Sequence, residues 1–320
     1  MNEFALIEAL FKPLGGARSD VILGIGDDGA VVRPLPGEEL VIVADTLVAG
    51  VHFPAELDPT DIGYRAVAVN LSDIAAMGAE PRWATLALTV PDNDERWLGE
   101  FARGLHEALA PFHSSLIGGD TTRGPLTITV QIIGGIPTGQ ALTRHGARPG
   151  DLVCVSGTLG DAAGGLALLQ RGAQFSEAAK SLINRFARPS PRVSLGVALR
   201  GVATSCIDIS DGLLADVGHL AERSHCGAEI QASRIPRSTA LSSLFEGREL
   251  LTLAATGGDD YELCFTVPSD RMADLMATTR SSVPLYPIGV MTAAPGIVSL
   301  LDTEGRPMQL PTTGYRHFND

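Results

Sequence analysis

The stretch "VILGIGDDGAVV", residues 21–32, sets Gly24, Gly26 and Gly29 at the G-x-G-x-x-G spacing of a dinucleotide-binding turn, and the acidic Asp45 follows downstream. Its variable positions are Asp27 and Asp28, two negative charges where a pyrophosphate would have to sit. A dinucleotide fold also needs a helix straight after the glycines, because the helix N-terminus binds the pyrophosphate. Here Val31, Val32, Pro34 and Pro36 follow, which is poor helix material. The stretch therefore reads as a strand over residues 21–25 running into an acidic glycine loop. "AVVRPL" and "ELVIVADTLV" read as further strands.

Around this stretch the chain runs to 320 residues, enough for two domains, with 45% hydrophobic residues to fill their cores. Acidic residues number 37 against 24 basic ones, a net charge of -13. That balance argues against nonspecific nucleic-acid or anionic-membrane binding, both of which need a basic footprint. Lys12 and Lys180 are the only lysines. Neither follows a glycine loop, so there is no Walker A motif, and no protein-kinase lysine or H-R-D set is present. Cys154, Cys206, Cys226 and Cys264 are scattered in or near apolar segments, with no C-x-x-C and no paired histidines at a zinc spacing. They read as buried, reduced thiols of a cytoplasmic protein. The start, "MNEFALIEALFKPLGG", reads as a short amphipathic helix rather than a signal peptide. No apolar run reaches the ~18 residues of a membrane span.

Further along, "DPTDIGYRAVAVNLSDIAAMGAEP" is a helix capped by Thr60 or Asp58 and ended by Gly78 with Pro81. It is apolar nearly all round and so should be buried, with Asn70 and Asp73 one turn apart on one face. A carboxylate in such a place needs a cation or hydrogen-bond donors. "RWATLALTV" is a strand, "DERWLGEFARGLHEALAPF" a second amphipathic helix, "SSLIGGDTTRG" a strand end with a glycine turn, and "LTITVQIIGGI" a strand. Residues 1–137 form an N-terminal α/β domain, the Gly-, Pro- and Arg-rich residues 138–150 a junction, and residues 151–320 a second α/β domain. There "LVCVSGTLGDAAGGLALLQRG" gives strand, glycine loop and helix. "VATSCIDISDGLLADVGHLAER" gives a strand, an acidic turn and a helix for which Ser210 is a candidate cap, and "LLTLAATGGDDYELCFTV" a Gly-Gly-Asp-Asp loop entering a strand.

One theme recurs. Strands run into short turns that end in aspartate, often beside glycine: Asp27 and Asp28, Asp45, Asp120, Asp208 and Asp211, Asp259 and Asp260, while Asp73 faces inward from a helix. Each turn alone is commonplace, since Asp and Gly both favour turn geometry. Together they can converge on one cleft. Two like charges 4 Å apart cost about 4 kcal/mol at an effective dielectric of 20, so a cluster needs cations within it. All-oxygen ligands select Mg²⁺, Mn²⁺ or Ca²⁺. Asp260 and Asp161 are evenly balanced between ligand and ordinary turn. Arg123, Arg144 and Arg148 are candidates to meet phosphates, Arg144 above the others. His52 either contacts substrate or finishes a strand. Tyr315 either stacks on a ring or packs the tail.

The ordered set "GIGDDGAVV", "ADTLVAGVHF", "AVAVNLSDIAAMGAEP", "IGGDTTRG", "ALTRHGARPGD", "IDISDGLLADVGHL" and "GGDDYELCF" closely resembles the thiamine-monophosphate kinases. These belong to the aminoimidazole ribonucleotide synthetase-like ATP-binding superfamily. The resemblance implies an N-terminal α/β domain whose strands form a barrel with a second subunit, a C-terminal mixed sheet flanked by helices, and a homodimer. It implies ATP-dependent phosphorylation of thiamine monophosphate to thiamine diphosphate, with several Mg²⁺ ions. It assigns the metals to Asp28, Ala44, Asp45, Asp73, Asp120, Asp208 and Asp211, and ATP to Gly119, Asp120, Arg144 and Ser210. The thiamine phosphate falls to His52, Asp259 and Tyr315, and no residue acts as acid or base. Ala44 stands where relatives often carry a hydroxyl, so a ligand there is its backbone carbonyl. Asp259 stands where glutamate is common. Other superfamily members, acting on selenide or closing an aminoimidazole ring, and a non-catalytic metal-binding module remain the alternatives. Selenophosphate synthetases carry a reactive Cys or selenocysteine in the N-terminal segment, where this chain has none.

Overall fold

The computed structural model describes residues 3–16, 18–172, 176–279 and 283–315. The chain divides into two units, one of Met1–Ile74 with Ala79–Gly139, the other of Ala75–Gly78 with Gln140–Asp320.

In the first unit, α1 (Glu3–Leu6) passes into a π turn (Ile7–Phe11) and a 3₁₀ turn (Lys12–Gly15), so the opening segment is helical but irregular. Pro13 lacks the N–H that a continuing α-helix would use. β1 (Val21–Leu23) and β2 (Val31–Val32) pair antiparallel. Both are shorter than expected: β1 stops before the glycines, and β2 is cut off by Pro34 and Pro36. No helix follows the glycines. At the foot of this hairpin, Asp20 accepts hydrogen bonds from Arg18 Nε (2.8 Å) and from Nε1 of the fully buried Trp83 (3.3 Å). The Arg18 guanidinium holds the Asp20 carboxyl below its usual range.

β3 (Glu38–Val48), α2 (Pro59–Ala76), β4 (Glu80–Val90), α3 (Glu95–Leu109), β5 (Ser115–Arg123) and β6 (Thr127–Pro137) complete the unit. The strands form one sheet in the order β3-β6-β4-β5, with β4 and β5 parallel across the α3 crossover. Asp58 rather than Thr60 supplies the cap of α2, accepting the Thr60 N–H at 2.8 Å. Gly78 ends that helix at φ 71, a left-handed conformation glycine adopts without strain, while Pro81 already lies inside β4. "SSLIGGDTTRG", expected to turn at its glycines, is instead one strand, β5. Its parallel ladder to β4 carries through Gly119, whose φ of 156 suits only glycine, and a Cβ there would strike the Leu86 carbonyl. Along β3 the residues alternate: Val41 and Leu47 are buried, while Leu40, Ile42, Ala44 and Thr46 are exposed.

In the second unit follow β7 (Leu152–Ser156), α4 (Asp161–Arg171), α5 (Glu177–Ala187), α6 (Val193–Leu199), β8 (Ser205–Asp208) and α7 (Leu213–Arg223). After these come β9 (Gly227–Gln231), α8 (Thr239–Leu244), α9 (Gly247–Thr256), β10 (Leu263–Val267), α10 (Met272–Thr279), β11 (Leu285–Thr292), β12 (Val298–Leu301) and β13 (Pro307–Met308). The seven strands order as β13-β12-β9-β11-β7-β10-β8, antiparallel except for β12 beside β9, so the sheet is mixed. β7, β8 and β10 are buried along almost their whole length, the polar Ser156, Ser205, Asp208 and Thr266 included. Among the described residues no helix is long and apolar enough to cross a membrane.

Candidate metal and phosphate site

In the first unit β3 and α2 bring two acids together. Asp45 lies on the β3 face that also carries Val41 and Leu47. Its N–H donates to Asn70 Oδ1 at 3.0 Å, and Asn70 Nδ2 is tied to the Ala66 carbonyl at 3.1 Å. The Asp45 carboxyl hydrogen-bonds with that of Asp73, one turn beyond Asn70. Burial pushes the Asp45 carboxyl above its usual value, while the Asp73 hydrogen bond and nearby His52 pull the other way. His52 sits in the turn after β3, where its Nδ1 accepts the Val48 N–H at 3.0 Å. That bond puts the proton of the neutral ring on Nε2.

The other predicted residues of this unit stand elsewhere on it. Asp27 and Asp28 are exposed in the loop between β1 and β2, where the Asp28 N–H donates to Asp27 Oδ1 at 2.9 Å. Ala44 is exposed on β3, opposite Gln131. Asp120 lies on β5, in one row with Ala87, Thr129 and Thr46. β3 and β5 are opposite edges of the sheet, three strand spacings or about 14 Å apart. The Thr46 row also faces away from the Asp45 row. Within this unit, then, Asp45 and Asp73 meet, and Asp120 belongs to a different face. Beside it Gly118, Gly119, Asp120 and Thr121 line a small cleft of about 50 Å³ walled by Ile7, Phe11, Ile25, Leu86 and Leu116.

In the second unit two loops and the tail meet. Asp208, at the end of β8, is buried. The next residues lead into α7, whose N-cap is Gly212 at φ 119 with no side-chain cap, so Ser210 does not cap the helix. Asp216 instead reaches back from the first turn of the helix: its Oδ2 accepts the N–H groups of Ser210 (3.1 Å), Asp211 (3.2 Å) and Gly212 (3.1 Å). Burial, with Asp208 and Asp211 close by, pushes the Asp216 carboxyl well above its usual range. One ligand atom from each of Asp211, Asp216 and His219 lies within 4.8 Å of the others. The Gly-Gly-Asp-Asp loop crosses this turn, with the Asp259 N–H donating to the Ser210 carbonyl at 2.9 Å and Tyr261 N–H to that of Ile209 at 2.9 Å. Asp259 sits at φ 71 and accepts the Tyr261 hydroxyl at 3.1 Å. The tail reaches the same turn, where the Tyr315 N–H donates to the Asp211 carbonyl at 2.9 Å. Arg144 is exposed in the 140–151 segment, and its carbonyl accepts the Ser224 hydroxyl at 3.3 Å.

Other acids are structural. Asp260 accepts the Gly160 N–H (2.6 Å) and the Ala162 N–H (3.2 Å), capping α4, and burial raises its carboxyl to about 8. Asp161 accepts hydroxyls from Ser238 (2.6 Å) and Thr158 (2.7 Å). Glu262 is fully buried between Ser156, Arg185 and Arg192. All four cysteines are free and buried, and burial lifts the Cys154 thiol to about 12, far from a reactive thiolate.

Both acidic clusters suit a hard divalent cation. In each, half-buried and buried carboxyls stand close together, an arrangement a cation relieves, and the donors are oxygens with His219 as the one nitrogen. Asp216 and His219 escaped the sequence reading. Their spacing of three on α7, five and eight residues after Asp211, is the signal that would have placed them on one helix face.

The chain is similar to known proteins along nearly its whole length. The family "AIR synthase related protein, N-terminal domain" matches residues 26–136, and its C-terminal domain matches residues 148–302. The chain is 51% identical to the thiamine-monophosphate kinase of Escherichia coli K12, over 99% of this chain and 98% of that protein. The crystal structure of the thiamine-monophosphate kinase from Stenotrophomonas maltophilia superposes with a TM-score of 0.89 at 45% identity, covering 96% of this chain and 98% of that one. A second solved structure, described as "AaThiL complexed with AMPPCP and TMP", superposes with a TM-score of 0.80 at 32% identity, covering 99% and 97%.

Proposed function

The chain belongs to the thiamine-monophosphate kinases within the AIR synthase related family, and on that premise we propose how its residues transfer phosphate from ATP to thiamine monophosphate. The observation that carries the proposal is the meeting of the half-buried Asp45 and Asp73, beside a histidine with a fixed tautomer.

Asp45 and Asp73 hold one Mg²⁺ ion, and Asp208 and Asp211 another. Asp28 and the Ala44 carbonyl would add ligands, while Asp120, on the far edge of the sheet, would meet metal only at the ATP. Bound there, the ions would neutralise phosphate charge as donor and acceptor approach. Gly119 and Asp120, at the β5 cleft, with Arg144 and Ser210, bind ATP. His52 offers its Nε2 proton to the phosphate of thiamine monophosphate. Asp259 and Tyr315 hold the rest of that substrate. The acceptor is a phosphate monoester whose second pKa is about 6, so its oxygen is already a nucleophile at neutral pH. No general base is needed, and the protein's work is positioning and charge neutralisation in an in-line transfer. The exposed apolar row Leu40 and Ile42 on edge strand β3, with Ile22, Leu23 and Val31 nearby in the chain, supports a homodimer that covers this face.

The test is ADP release by the purified protein with ATP and Mg²⁺, across thiamine, thiamine monophosphate and other phosphate esters. Release with thiamine monophosphate, and thiamine diphosphate as product, is the expected result. No release, or release only with another ester, overturns the assignment. Radiolabelled ATP should leave no covalent phosphate on the denatured protein.

A further inference from the structure

Resting on the phosphotransferase assignment above, we propose that Asp216 is the positioning residue that makes the turn after β8 a cation site rather than a phosphate site. A strand, a glycine turn and a helix N-terminus ordinarily present free N–H groups to an anion. Here the three consecutive N–H groups of Ser210, Asp211 and Gly212 all converge on one oxygen of Asp216, which is 1% exposed and lies in the first turn of α7. The chain supplies its own acceptor oxygen at this place. The carbonyls on the other side of the turn are equally committed. Those of Ile209 and Ser210 hold Tyr261 and Asp259, and that of Asp211 holds Tyr315.

With donors drawn inward and carbonyls tied to neighbouring segments, the backbone of the turn has one conformation. What the turn offers a ligand is the side chains of Ser210 and Asp211, next to buried Asp208. Asp216 therefore acts through the turn: it fixes the direction of the Asp211 carboxylate and, through the same backbone, the placement of Asp259 and Tyr315.

The experiment reads Mn²⁺ binding by electron paramagnetic resonance on the whole protein without nucleotide or thiamine phosphate, together with melting temperature. Asp216→Asn keeps one acceptor oxygen but cannot be charged and brings an NH2 whose donors find no acceptor in the turn, so it holds the three N–H groups less firmly. It should weaken Mn²⁺ binding by about 10–100-fold, the usual cost of losing a group that orients a ligand. Asp216→Glu, keeping the carboxylate, should recover part of that loss. A folded Asp216→Asn protein with wild-type Mn²⁺ affinity overturns the proposal. Should neither variant fold, amide exchange in the wild-type protein decides: slow exchange at all three N–H groups without metal is expected, and exchange at the rate of an open loop overturns the proposal. A protein that binds Mn²⁺ as expected but releases no ADP would sink the kinase assignment and leave the role of Asp216 standing.

Discussion

The backbone N–H of Asp259 donates to the carbonyl of Ser210 at 2.9 Å, so a residue assigned to the thiamine phosphate hangs directly on the turn that carries Asp208 and Asp211. The contact requires Gly258, because a Cβ at that position would run into the Ser210 oxygen. Gly258→Ala should therefore push the two loops apart at a cost of about 1–3 kcal/mol. It should lower the melting temperature and raise KM for thiamine monophosphate together. An unchanged melting temperature would show that the loops have room to give.

Asp45→Asn and Asp73→Asn each remove one charge from a pair that burial already strains. Both variants should fold, since an amide keeps the shape and still hydrogen-bonds. Turnover should fall by about a hundredfold or more, as when a group that stabilises transition-state charge is lost. Steady-state ADP release at saturating Mg²⁺ measures this, and near-wild-type rates would remove these residues from the metal set.

Asp260 should leave a mark on stability against pH. Its carboxyl is raised to about 8 by burial, against 3.8 in an unperturbed chain. Between those values the folded protein holds a proton that the unfolded chain has lost, so stability falls as pH rises and levels off above about 8. The contribution is fully present below 3.8 and gone once the pH passes the folded value. Melting curves from pH 5 to 9 should show a steeper decline for the wild type than for Asp260→Asn. Parallel curves would contradict a protonated Asp260.

Ile42 is 60% exposed on an edge strand, a poor place for an isoleucine unless something covers it. Ile42→Asp should shift the protein from dimer to monomer in light scattering without changing its circular dichroism. A wild-type protein that is monomeric at the same concentration would end the dimer proposal.

Much of this was legible in order along the chain. The acidic loop at residues 26–29 could be separated from a dinucleotide turn because prolines and β-branched residues follow it. Asp73 stood out because a carboxylate on a helix apolar all round needs a partner, and Asp45 is that partner. Local chemistry sufficed to single out the loop and Asp73, since each stands out against neighbours within a few residues, but not to name the partner of Asp73, which lies on another element. Where a strand ends depended on more distant pairing. β5 runs through Gly118–Asp120 because β4 lies parallel beside it along that length, and no local signal announces a partner strand.

The sequence by itself determined the two α/β units, the aspartate-bearing turns and the absence of a phosphate-binding lysine loop, because these follow from residue type and short spacing. Only the tertiary structure decided which aspartates meet. It pairs Asp45 with Asp73, sends Asp120 to the far edge and opposite face of the sheet, and assigns Asp260 and Asp161 to helix caps and hydroxyls. It also left α7 without the Ser210 cap expected of it and tied the N–H groups of the preceding turn to Asp216 instead. The reason is physical: a carboxylate's role is set by whether it finds N–H groups, another carboxylate or water, and that is fixed by strand register and by which helix packs on which face.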